Sequence, residues 1–417
     1  MEFEKLKAQA HDNSFICNRC GSCVRGPFDP LVDSPDRSCP MYEQFRYWSH
    51  GPQGVHLMAC ALLDGTLVPD EAFIKAIYDC CLCSECYTAC DEIFVRVENA
   101  MGKRFGHGCS AAEAVKAIRA DLIKGGFEAP GGWKKTAAMV EKAHNRFGRP
   151  QADRLAWVPK GMELPKKAKL VYYPGCVAEL RSQEIAQSFA KILQKAGVEF
   201  TTLGENEWCC GGPQLLNAGY VDAFVKNAEH NVKAIKDAGA TEVVTTCADC
   251  WRSLKIDYPN EAGVKVDFKV LHSTELLAQL VQDGKIKMTK KLKGKVTFHD
   301  PCQLAKTKPT KNLMPVAENK VVDPARVVLE AVPGIELVEM MQGCKEYTMC
   351  CGHYPVELPE ESMLASVSRL QDAKEVGAAT VVTGCSFCKW ALGRANAKDS
   401  GIAVLDIAEV VAQAMGL

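Results

Sequence analysis

Several large classes are closed to this chain by what it lacks. No stretch approaches about 18 consecutive apolar residues, so no membrane-spanning helix is expected. Acidic and basic residues number 51 and 50, for a formal net charge of −1. That is too little to draw the chain to nucleic acid or to an anionic membrane. The opening Met1-Glu2-Phe3-Glu4-Lys5-Leu6-Lys7 has no apolar core of the secretory type, which points to a reducing cytoplasm. No G-x-G-x-x-G follows a strand-like run, so no flavin or nicotinamide site of that kind is expected. Electrons would have to come from another subunit.

What the chain has in excess is cysteine, 22 in 417 residues. Thiols in C-x-x-C groups in a long chain with no secretory signal point to metal rather than disulfides. The rest of the composition, 47% hydrophobic and 24% charged, is that of an ordinary globular protein of two or three domains.

Residues 1–125 carry eleven cysteines and read as a helical module. Cys17-x-x-Cys20-x-x-Cys23 is followed by Cys39-Pro40, and then by Cys80-x-x-Cys83-x-x-Cys86-x-x-x-Cys90. Three thiolates at i, i+3 and i+6 grip one side of a [4Fe-4S] cubane, and a distant cysteine closes the fourth iron. In two-cluster ferredoxins that fourth cysteine comes from the other run. One cubane is therefore expected on Cys17, Cys20, Cys23 and Cys90, the other on Cys80, Cys83, Cys86 and Cys39. Four-cysteine zinc sites prefer paired knuckles to triplets. Helices are expected over 70–78 and 111–123. Residues 126–168, rich in proline and glycine, read as a connector draped on the protein, with a helix over 133–147.

From Lys169 the chain duplicates itself. Lys169 to Cys176 and Lys295 to Cys302 are equal-length strand-to-cysteine segments, and Lys236 to Cys250 aligns without a gap on Lys374 to Cys388. Each repeat (169–290 and 291–417) reads as strand, Cys, helix, strand, Cys-Cys-Gly, helix, strand, C-x-x-C, helix. Such alternation implies parallel βαβ units, with the cysteines at the carboxyl ends of the strands. The expected fold is α/β, with an N-terminal all-α two-cluster ferredoxin domain before duplicated βα domains of pseudo-twofold symmetry. Helices opening at Cys247 and Cys385 would aim their N-terminal dipoles at thiolates and at an anionic cluster. The glycine after each vicinal pair is read as making room for inorganic sulfide.

The two sets are Cys176, Cys209-Cys210, Cys247-x-x-Cys250, and Cys302, Cys350-Cys351, Cys385-x-x-Cys388. This pattern resembles the cysteine-rich "CCG" domains of heterodisulfide reductase, in the D-type layout that fuses them behind a two-cubane domain. It also resembles the iron-sulfur subunits of lactate and glycolate oxidation complexes. The resemblance implies a non-cubane [4Fe-4S] cluster in one or both repeats, with a different cluster or zinc in one repeat as the alternative. It implies an oxidoreductase subunit of an anaerobic complex that acts on a disulfide or relays electrons to an HdrA-like flavoprotein, in a bifurcating or benzoyl-CoA reductase-type assembly. The rival readings are a lactate or glycolate dehydrogenase subunit and a zinc-stabilised scaffold.

The expected catalytic residues are Cys209, Cys210, Cys350, Cys351 and His353. His353 is either a proton donor or a hydrogen-bond donor to the cluster or backbone. His299 is expected to orient its loop. Cys60, Cys81, Cys109 and Cys344 are left as inert buried thiols; Cys81, next to Cys80, is the alternative ligand that the i, i+3, i+6, i+10 register passes over.

Overall fold

The structure, a computed structural model, describes residues 1–10, 14–25, 39–91, 101–102, 108–306, 321–341, 343–352, 364–396 and 401–417. Before Leu170 the described residues form helices and turns, with no strand among them. Helix Glu71–Asp79 starts where the Asp70 carboxylate accepts from Phe73 N at 2.8 Å, and it buries Phe73, Ala76, Ile77 and Tyr78. Helix Ala111–Lys124 starts on Ser110 in the same way. Ala111, Ala112, Ala114 and Ala117, with Val115, Ile118 and Leu122, pack into one core with Leu6, Val55, Ala59, Leu62, Cys23 and Cys86.

The connector is packed rather than loose. Its helix runs Gly131–Ala143 and stops at His144, whose φ of 57° is left-handed. Trp157 is fully buried with its ring edge against Tyr172, and Arg154 forms buried ion pairs with Glu179 and Glu207.

From Leu170 on, the described strands form two parallel sheets. Strands β1 (Leu170–Tyr172), β2 (Glu242–Thr245) and β3 (Lys269–His272) lie in the order β1-β2-β3. Strands β4 (Gly294–His299), β5 (Ile335–Leu337), β6 (Thr380–Thr383) and β7 (Ala403–Asp406) lie in the order β5-β4-β6-β7. Alternate strand residues face opposite ways, as the pleat requires. Val171, Val243, Val270 and Val381 enter one apolar core, whereas Leu170, Tyr172, Val244, Leu271, Phe298 and Val382 enter the other.

Two details depart from the sequence reading. The strand expected before Cys209 shrinks to a single parallel bridge, Val171 to Thr201, where the second repeat has the full β5. Each repeat also has a strand after its C-x-x-C helix, β3 and β7, that the reading missed. Both are four residues long and end on the side chain that caps the next helix: His272 before Ser273–Gln282, and Asp406 before Ile407–Met415, each a complete capping box. A run that short, merging into a cap, carries no period of its own.

Candidate redox centre

All four strand-to-cysteine junctions fall at the carboxyl ends of their strands. Tyr172 of β1 leads to Cys176, Thr245 of β2 to Cys247, His299 of β4 to Cys302, and Thr383 of β6 to Cys385.

In the first repeat, Cys176 Sγ lies 3.9 Å from Cys209 Sγ, and Cys209 Sγ lies 3.3 Å from Gln214 Oε1. The vicinal pair is pinned through its backbone. Asn227 donates to Cys209 O at 2.8 Å, Tyr258 OH donates to Cys210 O at 3.0 Å, and Cys209 N donates to His144 O at 2.7 Å. A π-helical turn, Gly212–Leu216, follows directly, and a second, Ser253–Asp257, follows Cys250. Such turns are rare and concentrate at functional sites. Hydrogen bonds from Cys209 and then Cys250 hold the Cys210 thiolate down at about 5. Gly175 passes so close to the site that a Cβ there would lie 2.7 Å from Cys250 Sγ, and its φ is +78°.

The glycines after the vicinal pairs serve a different purpose from the one expected. Gly211 and Gly352 take φ of +80° and +76°. A Cβ on Gly211 would press on Phe224 and Leu215, and one on Gly352 would fall 2.5 Å from Ser366 Oγ. They allow a left-handed turn against a helix rather than leaving room for sulfide.

In the second repeat, Gly352 N donates to Cys350 Sγ at 3.4 Å, and Ser366 Oγ donates to Cys351 O at 2.6 Å. The loop that carries Cys302 is oriented by Asp300. Its two carboxylate oxygens accept from Arg326 at 2.7 and 2.8 Å, and Oδ2 also accepts from Lys345 N at 2.7 Å. His299 does not share in this through its ring. The side chain is buried, neither ring nitrogen has a partner among the described residues, and one of them lies with the Cys351 and Cys388 sulfurs in a group whose donor atoms are within 4.8 Å of one another. Burial pushes its imidazole down to about 3, so the ring is neutral. His353 lies outside the described residues.

The two sets meet each other. Cys247 of the first, Cys385 of the second and the Asp249 carboxylate have donor atoms within 4.8 Å of one another. Against the push of burial, hydrogen bonds from Cys247 and Cys388 hold Cys385 well below the usual thiol range.

In the N-terminal region, Cys17, Cys20, Cys23 and Cys90 line one cavity together with Cys109 and His56. The Cys109 thiol is shared between Cys17 and Cys90 and holds those two down at about 6 and about 7. Cys39 faces Cys83, Cys80 and Cys86. Cys81 is shared between the sulfurs of Cys350 and Cys83. Of the four cysteines read as inert, Cys81 and Cys109 thus touch the candidate ligands. Cys60 donates to Ser14 O at 3.6 Å, and Cys344 sits beside Glu339 and Asp300. Nothing in their spacing marked Cys81 or Cys109. The available signal was adjacency, with Cys81 next to Cys80 and Cys109 one residue before the Ser110 cap.

The donor sets suit sulfur-rich iron clusters. Each repeat gathers five thiols, and each site holds buried polar atoms with no protein partner among the described residues: Nε2 of Gln214, whose Oε1 meets Cys209 Sγ, and the two nitrogens of His299, whose ring reaches Cys351 through one of them. A cluster with bridging sulfides would offer acceptors to such groups, whereas a four-coordinate zinc would leave a fifth thiol over.

Parallel sheets with five thiols at each carboxyl edge define an iron-sulfur oxidoreductase of the cysteine-rich class. The cysteine-rich domain family, CCG, matches twice, over residues 170–255 and 296–393. Within that class the chain belongs to the family of the D-type heterodisulfide reductase subunits. It is 33% identical over 412 residues to the D-type polypeptide of the dihydromethanophenazine:CoB–CoM heterodisulfide reductase of Methanosarcina acetivorans, covering 96% of this chain and 94% of that one. It is 34% identical, with the same coverage, to the protein of that name from Methanosarcina barkeri. The EtfAB:quinone oxidoreductase of Syntrophomonas wolfei is 26% identical over 85% of this chain and 48% of its own length. The chain is thus an oxidoreductase subunit of a kind that works in a multisubunit complex. No described helix is long and apolar enough to cross a membrane.

Proposed function

We propose that the N-terminal region (1–125) is a two-cubane electron-transfer module feeding a pair of CCG sites, related by a pseudo-twofold axis, that reduce a disulfide or pass electrons on to a flavoprotein of the HdrA kind. Cys17, Cys20, Cys23 and Cys90 would hold one [4Fe-4S] cubane, and Cys39, Cys80, Cys83 and Cys86 the other. The two five-cysteine sets would hold the CCG clusters. Bound there, such clusters supply one-electron storage beside an iron able to engage substrate sulfur.

The observation that carries this reading is an unbroken series of thiol contacts, buried except at the half-buried Cys81. It runs from Cys83 through Cys81 to Cys350, Cys351, Cys388 and Cys385, crosses to Cys247, and continues through Cys250, Cys210 and Cys209 to Cys176. The remaining duties belong to the chain. Asn227, Tyr258 and Ser366 fix the vicinal pairs, Arg326 fixes the Cys302 loop through Asp300, and burial excludes water. Cys209, Cys210, Cys350 and Cys351 would be the thiolates nearest the chemistry.

The test is a pair of variants, Cys210→Ser and Cys351→Ser, followed by low-temperature EPR on anaerobically purified protein. Each should lose the signal of its own repeat and keep both cubane signals. Full activity with unchanged spectra in both variants would refute the ligand assignment. Co-purification with a 2-hydroxy-acid dehydrogenase flavoprotein would move the substrate reading to lactate or glycolate oxidation.

A further inference from the structure

Lys306 is buried to 4% exposure at the end of the short helical segment that opens at Cys302. Its ammonium pairs with the buried carboxylate of Glu85, two residues after Cys83, and donates to the carbonyl of Thr348, two residues before Cys350. Three segments from distant parts of the chain, around Cys83, Cys302 and Cys350, are thus pinned to one cation. Cys81 lies in the same seam, between the sulfurs of Cys83 and Cys350. The first repeat has no counterpart: laying Lys169–Cys176 on Lys295–Cys302 puts Leu180 opposite Lys306. A buried lysine is rare unless it is paired, and breaking such a pair is costly. A lysine placed where two clusters would face each other is therefore a feature to account for.

We propose that Lys306 is a positioning residue at an electron-transfer joint. With Glu85 it fixes the Cys80–Cys86 run against the second CCG site, which makes that site, rather than the first, the one that exchanges electrons with the cubanes. Its ammonium also holds the reduction potential of that site up.

The inference rests on the iron-sulfur reading above. In the reducing direction, one electron leaves the site of Cys39, Cys80, Cys83 and Cys86, which is oxidised by one. It enters the site of Cys302, Cys350, Cys351, Cys385 and Cys388, which is reduced by one. No bond is made or broken and no proton moves. A positive charge in a low-dielectric seam stabilises the more negative, reduced state, so its loss lowers the potential.

The experiment is an EPR-monitored dithionite titration of the full chain, with the second-site signal identified as the one that Cys351→Ser abolishes. In Lys306→Met, the reduced-to-oxidised ratio of that signal at the wild-type midpoint should fall at least about tenfold, or about 59 mV for a one-electron centre. The first-site midpoint should move by less than about a third of that. Lys306→Arg should stay within about twofold of wild type, since the charge is kept. Glu85→Gln leaves the cation unopposed and should shift the second site the opposite way, upward. Because it keeps the lysine, it also serves as the test if Lys306→Met fails to assemble. An unmoved second-site midpoint in Lys306→Met, an equal shift at both sites, or a downward shift in Glu85→Gln overturns the proposal. If the wild-type protein shows no signal that Cys351→Ser abolishes, the iron-sulfur reading of the second repeat falls, and this inference falls with it.

Discussion

Replacing Arg119 with methionine should loosen both the Cys80–Cys86 run and the loop behind the first vicinal pair. Arg119 is fully buried in helix Ala111–Lys124. Its guanidinium donates to Ile77 O at 2.8 Å and to Cys80 O at 2.7 Å, at the end of helix Glu71–Asp79. It also donates to Asn217 O at 2.8 Å, just past the π-helical turn that follows Gly211. One cation thus caps two chain ends whose carbonyls would otherwise be orphaned. Its charge centre also sits 4.8 Å from the Tyr78 ring and 4.6 Å from that of Trp133.

Methionine keeps most of the packing but none of the donors. About 1 kcal/mol for each of three stranded carbonyls, and about 1 for the ring contacts, puts the loss at about 4 kcal/mol. A molecule with several domains and cofactors does not unfold in one step, so the assay should be local. Hydrogen-exchange mass spectrometry in the regime where opening is at equilibrium reads the opening free energy segment by segment. Amides of residues 77–86 and 215–220 should exchange about 1,000-fold faster in the variant, with residues 401–417 unchanged. Acceleration below about tenfold, or an equal acceleration everywhere, would show that Arg119 does not hold these two ends together.

Other outcomes follow from the same contacts. Lys116 pairs with Glu261 at 2.8 Å, tying the N-terminal region to the first repeat, and it chiefly holds the Glu261 carboxyl below its ordinary value of 4.5. That stabilisation is present above pH of about 4.5 and is lost as pH falls through the depressed native value. Lys116→Met should abolish this acid dependence and cost about 3 kcal/mol at neutral pH, read by exchange in helix Ala111–Lys124. Gly175→Ala must place a methyl 2.7 Å from Cys250 Sγ on left-handed backbone, so iron should be lost from the first site with the second-site EPR signal intact. His299→Phe keeps a planar aromatic ring of similar size and removes both nitrogens. The second-site signal should change shape while the first-site signal and the total iron stay as they were.

Much of this architecture was legible along the chain, because its cues are local. β1 and β4 are short runs that end four and three residues before Cys176 and Cys302, and the C-x-x-C helices follow β2 and β6 at once. The triplet spacing keeps Cys17, Cys20 and Cys23 together through local turn geometry, whereas Cys90 was placed with them by the pattern of two-cluster ferredoxins; the four line one cavity. The joints between units were not legible. Cys247 and Cys385 lie 138 positions apart and belong to different repeats, and only the packing of one sheet unit on the other brings them within 4.8 Å. Cys81 was passed over because the i, i+3, i+6, i+10 register selects Cys80; its contact with Cys350, 269 positions away, is tertiary. Arg119, Lys116 and Lys306 carry no local signal in the sequence, and only tertiary burial against carbonyls and carboxylates sets them apart. The purpose of Gly211 was misread because its neighbours, Phe224 and Leu215, come from the turn and helix that follow it.

The central claim is that the chain holds four sulfur-rich iron centres, three of them joined by one series of thiol contacts. The most direct measurement is metal analysis of the anaerobically purified full chain, with low-temperature EPR during stepwise reduction. About sixteen irons per chain, four to a site, with two cubane signals and two further signals of a different kind, is the predicted result. About eight irons with zinc making up the balance would confine the redox chemistry to the N-terminal region and contradict the account of both CCG sites.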